Sequence, residues 1–305
     1  MRISTIQKLK LPEGVRIPYF GGKLYKFMTA MERNSIIRLH VDDLCLNQEP
    51  RKEKIIVSLT TFPARIEVVG FAIKSLFNQT IRPDRIVLWL AENQFASEPL
   101  PELLQQLVRC GLEIRYCEDL KAHKKYHYAL KEQKKDELVI TYDDDLIYPE
   151  DSIERLYRCH KEFPECIVCN RAQEACFQDG KLMPYATWRV LSDVGVKEPS
   201  SKLFPSTGGG TLYPYGKISP IAFQIDQMKL LAYTADDLWM RFMSALQGTK
   251  IVKTRKYHKT FSVLEDSQEE SLQEINCIGN ENDRALERLS VAYPEALKNI
   301  MDLRD

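Results

Sequence analysis

The chain has 305 residues, in which 43 lysines and arginines balance 43 aspartates and glutamates. Hydrophobic residues make up 44% of the chain and charged residues 28%, a composition that excludes global disorder. No apolar run approaches the ~18–20 residues of a membrane span, and the balanced charge argues against a general nucleic-acid binder.

The first forty residues are basic, with eight lysines and arginines against two acids, so the rest of the chain carries a net charge of −6. Apolar residues lie among these bases, a composition that suits contact with an anionic membrane surface or a lipid-diphosphate acceptor. The alternative is that residues 1–40 pack against the acidic tail 265–305, which has eleven acids and four bases. The start lacks the apolar core of a secretory signal. Together with eight scattered cysteines, this predicts a cytoplasmic protein, peripheral to the inner face of the membrane if residues 1–40 bind there.

Strand and helix patterns alternate from residue 54 onward. The predicted strands are Lys54–Thr60, Arg85–Leu90, Leu112–Tyr116 and Glu137–Tyr142, and the helices between them start near Val69, Pro101 and Ala122. This alternation predicts an α/β fold with a mostly parallel central sheet flanked by helices.

The second half is less regular. Its sequence predicts a helix over Pro149–Phe163, strands over Cys166–Asn170 and Leu182–Val190, and a helix over Thr234–Gly248. Between them it predicts a loop-rich stretch over Pro199–Pro220, which includes a glycine-rich loop over Ser206–Pro214. A structural zinc site at Cys166 and Cys169 is disfavoured, because a strand through these residues spaces the two thiols wrongly for a zinc knuckle.

Three consecutive aspartates, Asp143, Asp144 and Asp145, follow the strand that ends in VITY. In open α/β sheets, ligands bind at the carboxyl ends of the strands. Clustered carboxylates suit Mg²⁺ or Mn²⁺, which would neutralise a diphosphate. The alternative is an acidic turn at the start of the next helix, although one aspartate would serve that purpose.

With its opening strand KIIVSLTTFPAR and the segment VITYDDD, the chain resembles GT-A-fold glycosyltransferases over about residues 53–260. The likeness is to the family-2-like enzymes of bacterial capsular or surface polysaccharides. The resemblance implies a GT-A-like (Rossmann-like) catalytic domain, residues 53–262, between a basic extension, 1–52, and an acidic helical tail, 263–305.

The same resemblance implies a nucleotide-sugar site. The residues that would bind the donor are Thr60, Thr61, Arg65, Asp143, Asp144 and, in the loop near the donor sugar, Gly208, Gly209 and Gly210. The metal ligands would be Asp143, Asp145 and His258, although His258 is equally well explained as a surface residue of a basic loop. Lys124 and Lys125 are candidates for contacting the phosphates, with solvated helix-face lysines as the default interpretation.

An acidic pair, Asp236 and Asp237, opens the helix predicted from Thr234. By resemblance to inverting family members, Asp237, and next Asp236, would be the base that deprotonates the acceptor. Thr234 and Asp237 also match a capping box. Trp188 and Trp239 are candidates for stacking on a sugar, with a core position as the alternative.

These observations predict a metal-dependent glycosyltransferase that moves a sugar from a nucleotide-diphosphate donor, a UDP-sugar as the first choice, to a glycan or lipid-linked acceptor. The predicted reaction is an inverting direct displacement, with a retaining outcome open because the placement of the acceptor sets the stereochemistry. Two alternatives stay open: a sugar nucleotidyltransferase and a non-catalytic binding partner in polysaccharide assembly. The segment TTFPARIEV has no glycine before Gly70, which counts against the phosphate loop of a nucleotidyltransferase.

Overall fold

The computed structural model describes residues 30–31, 33–95, 99–255, 262–263 and 280–301. His258 therefore lies outside the described residues, as do residues 1–29, which make up most of the basic first forty residues. Among those described, no helix is long and apolar enough to cross a lipid bilayer.

The described residues contain one large sheet of seven strands. In chain order they are β1 (Lys54–Thr60), β2 (Arg85–Ala91), β3 (Leu112–Cys117), β4 (Glu137–Tyr142), β5 (Ile167–Cys169), β6 (Gly209–Tyr213) and β7 (Ile251–Lys253). Their order across the sheet is β7-β5-β6-β4-β1-β2-β3. Of these described strands, β6 alone runs against the others, pairing antiparallel with both β4 and β5. The predicted mostly parallel α/β sheet is confirmed.

Helices follow most of the strands. The described helices of eight residues or more are α1 (Val69–Phe77), α2 (Glu102–Arg109), α3 (Lys124–Lys131), α4 (Ser152–Glu162), α5 (Ile225–Ala232), α6 (Asp236–Leu246), α7 (Glu281–Ala292) and α8 (Pro294–Met301). Shorter helical turns are Val41–Asp43, Pro63–Arg65, Glu92–Phe95, Lys121–His123, Tyr185–Thr187 and Pro220–Phe223. Residues 33–38 are also helical.

Two hydrophobic cores cover the two faces of the sheet, as expected for buried parallel strands. On β1, Ile55, Val57 and Leu59 belong to the core that includes residues of α1, α2 and α4. Ile56 belongs to the opposite core, which includes residues of α3, α5 and α6. The C-terminal helices α7 and α8 contribute to this second core, so they cover one face of the sheet domain.

Two predictions in the second half are wrong. The strand predicted over Leu182–Val190 is replaced by a two-residue strand, Lys181–Leu182, paired with Phe177–Gln178, and then a helical turn. The predicted loop 199–220 contains β6 and another strand, Leu203–Pro205, paired with Ala172–Glu174. Glycine weakens an isolated strand, but hydrogen bonds to β4 on one side and β5 on the other hold β6 in the sheet. A last short pair joins Leu146–Ile147 to Ser262–Val263.

Candidate active site

The three consecutive aspartates lie just beyond the carboxyl end of β4, at the middle of the sheet. The neighbouring strand β1 is parallel to β4 and leads into Thr61 and Arg65 at the same edge. The start of β6 reaches this edge from the other side, because Gly209 pairs with Tyr142. The sheet topology thus brings three separate segments together around the triplet.

Asp144 is held by the segment that follows β1. The Thr61 hydroxyl donates to Asp144 Oδ2 at 2.6 Å, and Arg65 Nη1 donates to Asp144 Oδ1 at 2.8 Å. The same Nη1 lies 3.1 Å from Asp145 Oδ2. Burial raises the pKa of Asp144, although Arg65 and Thr61 oppose this effect. Since both of its oxygens are engaged, Asp144 anchors the loop, while Arg65 links two members of the triplet.

Asp143 lies against the glycine-rich segment. Its backbone N–H donates to the Tyr148 hydroxyl at 2.9 Å, and that hydroxyl donates to the carbonyl oxygen of Gly208 at 2.8 Å. A Cβ atom at position 208 would lie 1.6 Å from Asp143 Oδ2. Glycine at 208 therefore leaves the space in which the Asp143 carboxylate lies.

Lys125 connects the triplet to the second acidic group. Its Nζ lies 2.7 Å from Asp143 Oδ1 and 2.9 Å from Asp236 Oδ2, and the residue is only 3% exposed. The Ser58 hydroxyl fixes the backbone here by donating to the Lys125 carbonyl at 2.5 Å. Burial alone lowers the pKa of this lysine, but Asp143 and Asp236 outweigh it and the pKa is raised well above the ordinary value. Lys125 is a buried cation, contrary to the solvated default.

Asp236 and Asp237 begin α6 and share one partner, Thr207. The Thr207 hydroxyl lies 2.6 Å from Asp236 Oδ2 and from Asp237 Oδ1, and the Thr207 N–H donates to Asp237 Oδ1 at 2.7 Å. The capping box predicted with Thr234 is wrong: the residue before the helix is Ala235, and no side chain caps the helix there. Thr207, on the neighbouring segment, binds the Asp237 carboxylate instead.

The two carboxylates of this pair are electrostatically different. Burial, and next the charge of Asp236, raise the pKa of Asp237 to about 7. Burial would also raise the pKa of Asp236, but the charge of Lys125 and the hydrogen bond from Thr207 outweigh it and leave that pKa lowered. Asp236 is therefore ionised at neutral pH, while Asp237 can gain or lose a proton there. Such a separation is typical of groups with acid–base roles.

Other predicted residues have their polar contacts outside this cluster. The Thr60 hydroxyl donates to the Trp89 carbonyl at 2.7 Å, and Lys124 pairs with Asp119 at 2.6 Å. Gly209 and Gly210 continue into β6, where a Cβ would meet Arg171 or Tyr142 respectively.

The candidate sugar-stacking tryptophans are core residues. Trp239 is 0% exposed, and its indole N–H donates to the Ala222 carbonyl. Trp188 is 5% exposed and packs on Phe204. Both are buried, as the alternative interpretation holds.

Sequence reasoning missed Thr207 and Tyr148. A threonine preceding three glycines was visible as part of the loop motif, but its hydrogen bonds to Asp236 and Asp237 depend on α6 packing over the start of β6. Tyr148 follows the triplet closely, and its hydroxyl joins Asp143 to Gly208. A tyrosine after an acidic motif carries no sequence signal for that contact.

The carboxylates of this cluster suit a divalent cation, both in their oxygen ligands and in their negative charge. Asp143 and Asp145 offer carboxylate oxygens, which Mg²⁺ and Mn²⁺ prefer. Five aspartates face two cations, Lys125 and Arg65, so negative charge is in excess when all five are ionised. No group of three or more ligands converges on one point within the described part of the chain. The described residues thus contain two of the predicted ligands, Asp143 and Asp145, and the third, His258, lies outside them.

Comparisons with known proteins assign no family. No family model matches the chain, and no curated protein matches it. Among solved structures, one match is a mannosyltransferase from Pyrobaculum calidifontis in complex with GDP-Man and Mn²⁺, at 12% identity and a TM-score of 0.47, covering 91% of this chain and 81% of that one. Another is 4-diphosphocytidyl-2C-methyl-D-erythritol synthase from Anaerococcus prevotii, at 11% identity and a TM-score of 0.44, covering 76% of this chain and 97% of that one. Identity and TM-score at this level assign no function to the chain.

Proposed function

We propose that this chain is a nucleotide-sugar-dependent glycosyltransferase with a GT-A-like catalytic domain. One observation carries the proposal: the acidic triplet after β4 and the acidic pair that opens α6 meet at one edge of the sheet, joined by the buried Lys125. One group is suited to holding a cation and a diphosphate, and the other contains a carboxylate that can exchange a proton near neutral pH.

The donor binds at the edge formed by the ends of β1 and β4. Thr60, Thr61 and Arg65 lie in or after β1, where the resemblance places the base and ribose, and UDP is the nucleotide we propose. Mn²⁺ or Mg²⁺, held by Asp143 and Asp145, would neutralise the diphosphate as it leaves. Lys125 supplies a fixed positive charge beside Asp143 that needs no reorganisation during the reaction.

Asp237 takes the acceptor proton. Unlike Asp236, it is partly exposed, and it is not bound to Lys125. A base acts best when its pKa lies near the working pH, and the pKa of Asp237 is about 7. Attack by the deprotonated hydroxyl on the anomeric carbon is then a direct, inverting displacement.

A nucleotidyltransferase is less well supported by the geometry. Such an enzyme needs a glycine-rich loop whose backbone surrounds a triphosphate. Here the segment after β1 reaches Gly70 without another glycine, and its one arginine, Arg65, is bound to Asp144 and Asp145. Gly70 itself is buried in α1.

The acceptor of the sugar is also part of this proposal. We propose a glycan or lipid-linked glycan of the capsular or surface-polysaccharide type, reached by peripheral membrane contact through residues 1–40. Flotation with anionic liposomes, comparing the full chain with one lacking residues 1–40, tests the membrane contact. Equal flotation of both chains would contradict it.

A donor screen tests the enzymatic proposal. UDP- and GDP-sugars are incubated with the full chain, with and without Mn²⁺, and release of the nucleoside diphosphate is measured. We expect metal-dependent release from a UDP-sugar, abolished in Asp145→Ala and retained in Asp226→Ala, which removes an exposed aspartate from α5. Metal-dependent UDP binding without turnover would instead support the non-catalytic binding partner, and no binding at all would overturn both.

A further inference from the structure

The face of α6 that begins with Asp237 continues with Arg241 and Ser244. These positions are four and three residues apart, so they lie on one side of the helix. All three side chains line a small cavity between α6 and the sheet, together with Thr207 and Ile251. The cavity is therefore directly adjacent to the proposed base.

Arg241 is a buried cation with neutral partners. It is 2% exposed. Its Nη1 donates to the Ser244 hydroxyl at 2.9 Å, and its Nη2 donates to the Ser201 carbonyl at 2.5 Å. Among the described residues, no carboxylate forms an ion pair with Arg241, and its Nε has no hydrogen-bond partner. A buried charge in this state is costly unless a compensating group lies nearby.

Asp237, which lines the same cavity, has one carboxylate oxygen that can accept a hydrogen bond. Oδ1 accepts both hydrogen bonds from Thr207. Within the described part of the chain, no hydrogen bond reaches Oδ2. The cavity has room for about one water molecule. A water there would find the Arg241 Nε–H as donor and the Asp237 carboxylate as acceptor, which satisfies the two to four polar contacts that a buried water makes.

We propose that Arg241 is a positioning residue for Asp237, acting through one buried water that accepts from Arg241 Nε and donates to Asp237 Oδ2. The role of this contact in sugar transfer rests on the proposed function, whereas the contact itself does not. Through this water the arginine holds the Asp237 carboxylate in one orientation, and its positive charge favours the ionised form of that carboxylate.

Several charged groups surround Asp237, and their effects differ in sign. Asp236 opposes ionisation of its neighbour, and Lys125 favours it. His123, near Asp236, is neutral, because burial lowers its pKa to about 4. Burial lowers the pKa of Arg241 to about 9, so Arg241 carries its positive charge at neutral pH.

The pKa of Asp237 tests the proposal without any substrate. Carbon-13 NMR of aspartate carboxyls, assigned with Asp237→Asn, gives this pKa in the unaltered full chain, in Arg241→Met and in the conservative Arg241→Lys. We expect Arg241→Met to raise it by about 1–3 units, because an opposite charge at short range is lost, and Arg241→Lys to keep it near the original value. An unchanged pKa in folded Arg241→Met overturns the proposal.

A crystal structure of the unaltered chain decides the matter if Arg241→Met does not fold. A water within hydrogen-bond distance of Arg241 Nε and Asp237 Oδ2 supports the proposal, and an empty or apolar-filled cavity overturns it. Failure of every donor in the activity screen would remove the proposed function but leave these two measurements intact. The two failures are thus distinguishable.

Discussion

The ammonium group of Lys125 contacts the carboxylate of Asp236 at 2.9 Å. The same ammonium is 2.7 Å from Asp143, so one buried cation joins the end of β4 to the start of α6. Without it, two acidic groups would repel each other across the site. Lys125 therefore holds together the two halves of the proposed active site.

Replacing Lys125 with methionine tests this connection, and the neighbouring lysine provides a matched control. Lys124 is also buried and pairs at 2.6 Å with Asp119, which is not part of the triplet. We expect both Lys125→Met and Lys124→Met to lower the free energy of unfolding by about 1–3 kcal/mol, because each leaves a carboxylate without its partner. Only Lys125→Met should reduce donor turnover, by at least about tenfold.

Urea unfolding and nucleoside diphosphate release measure the two effects separately. Equal activity losses in the two variants would show that the effect is structural and would contradict a role for Lys125 in the site.

The two lysines show what the sequence could and could not predict. Both were predictable as a pair near the triplet, because the strand and helix order fixes the position of α3. Consecutive residues on a helix point in directions about 100° apart, so only one of them could reach Asp143. Which one does depends on how α3 rotates against β1 and β4, and that rotation is set by the packing of Tyr126 and Leu130 in the core.

Gly208→Ala should disable the site by displacing Asp143. The new Cβ would lie 1.6 Å from Asp143 Oδ2, so the carboxylate must move. A displacement of about 1 Å in a catalytic group can cost about 10²-fold in rate, and we expect a loss of that size in kcat/KM for the donor.

Gly180→Ala is the control for glycine replacement. Its backbone has φ +72° and a Cβ there meets nothing within 4 Å. We expect a stability cost of about 1–2 kcal/mol from the left-handed conformation and full activity. If Gly208→Ala keeps the activity of the unaltered chain, the close contact with Asp143 is not functionally important.

The glycine-rich segment also explains the largest error in the predicted fold. Three consecutive glycines indicate a loop, and the sequence carries no sign that residues 209–213 lie between β4 and β5. That position follows from long-range pairing, which overrides local preference. By contrast, β1 and β4 were predicted with the observed bounds, because their near-continuous apolar runs match strands buried on both faces.

Thr207→Val should uncouple the acidic pair while preserving the volume of the side chain. The hydroxyl contacts both Asp236 and Asp237, and hydrogen bonds to charged groups are worth about 1.5–3 kcal/mol. We expect a decrease in turnover of about 10–100-fold, reversed in Thr207→Ser, which restores the hydroxyl.

Thr211→Val is the matched control, since Thr211 is also buried and its hydroxyl donates to the Ser206 carbonyl. Its removal should affect stability alone. Failure of Thr207→Ser to recover activity would indicate that packing, and not the hydroxyl, is what the site needs from Thr207.

The titration of Asp237 predicts how stability changes with pH. Its pKa is 3.8 ordinarily and about 7 in the folded chain. Between pH 3.8 and about 7, the folded chain binds a proton at Asp237 that the unfolded chain has lost. The contribution of Asp237 to stability is therefore complete below pH 3.8, and this contribution is lost as the pH rises through about 7. Asp237→Asn cannot ionise, and its free energy of unfolding should therefore rise relative to that of the unaltered chain as the pH increases.

Urea unfolding of both chains between about pH 5 and pH 8 measures this difference, which we expect to grow by roughly 2–4 kcal/mol over that range. Asp226→Asn, at an exposed position, is the control for replacing an aspartate by asparagine. A difference that stays constant over this range would mean that Asp237 is ionised throughout, as in a carboxylate fully paired with a cation. In that case Asp237 could not act as a base that exchanges its proton near neutral pH, and Asp236 would have to be tested in its place.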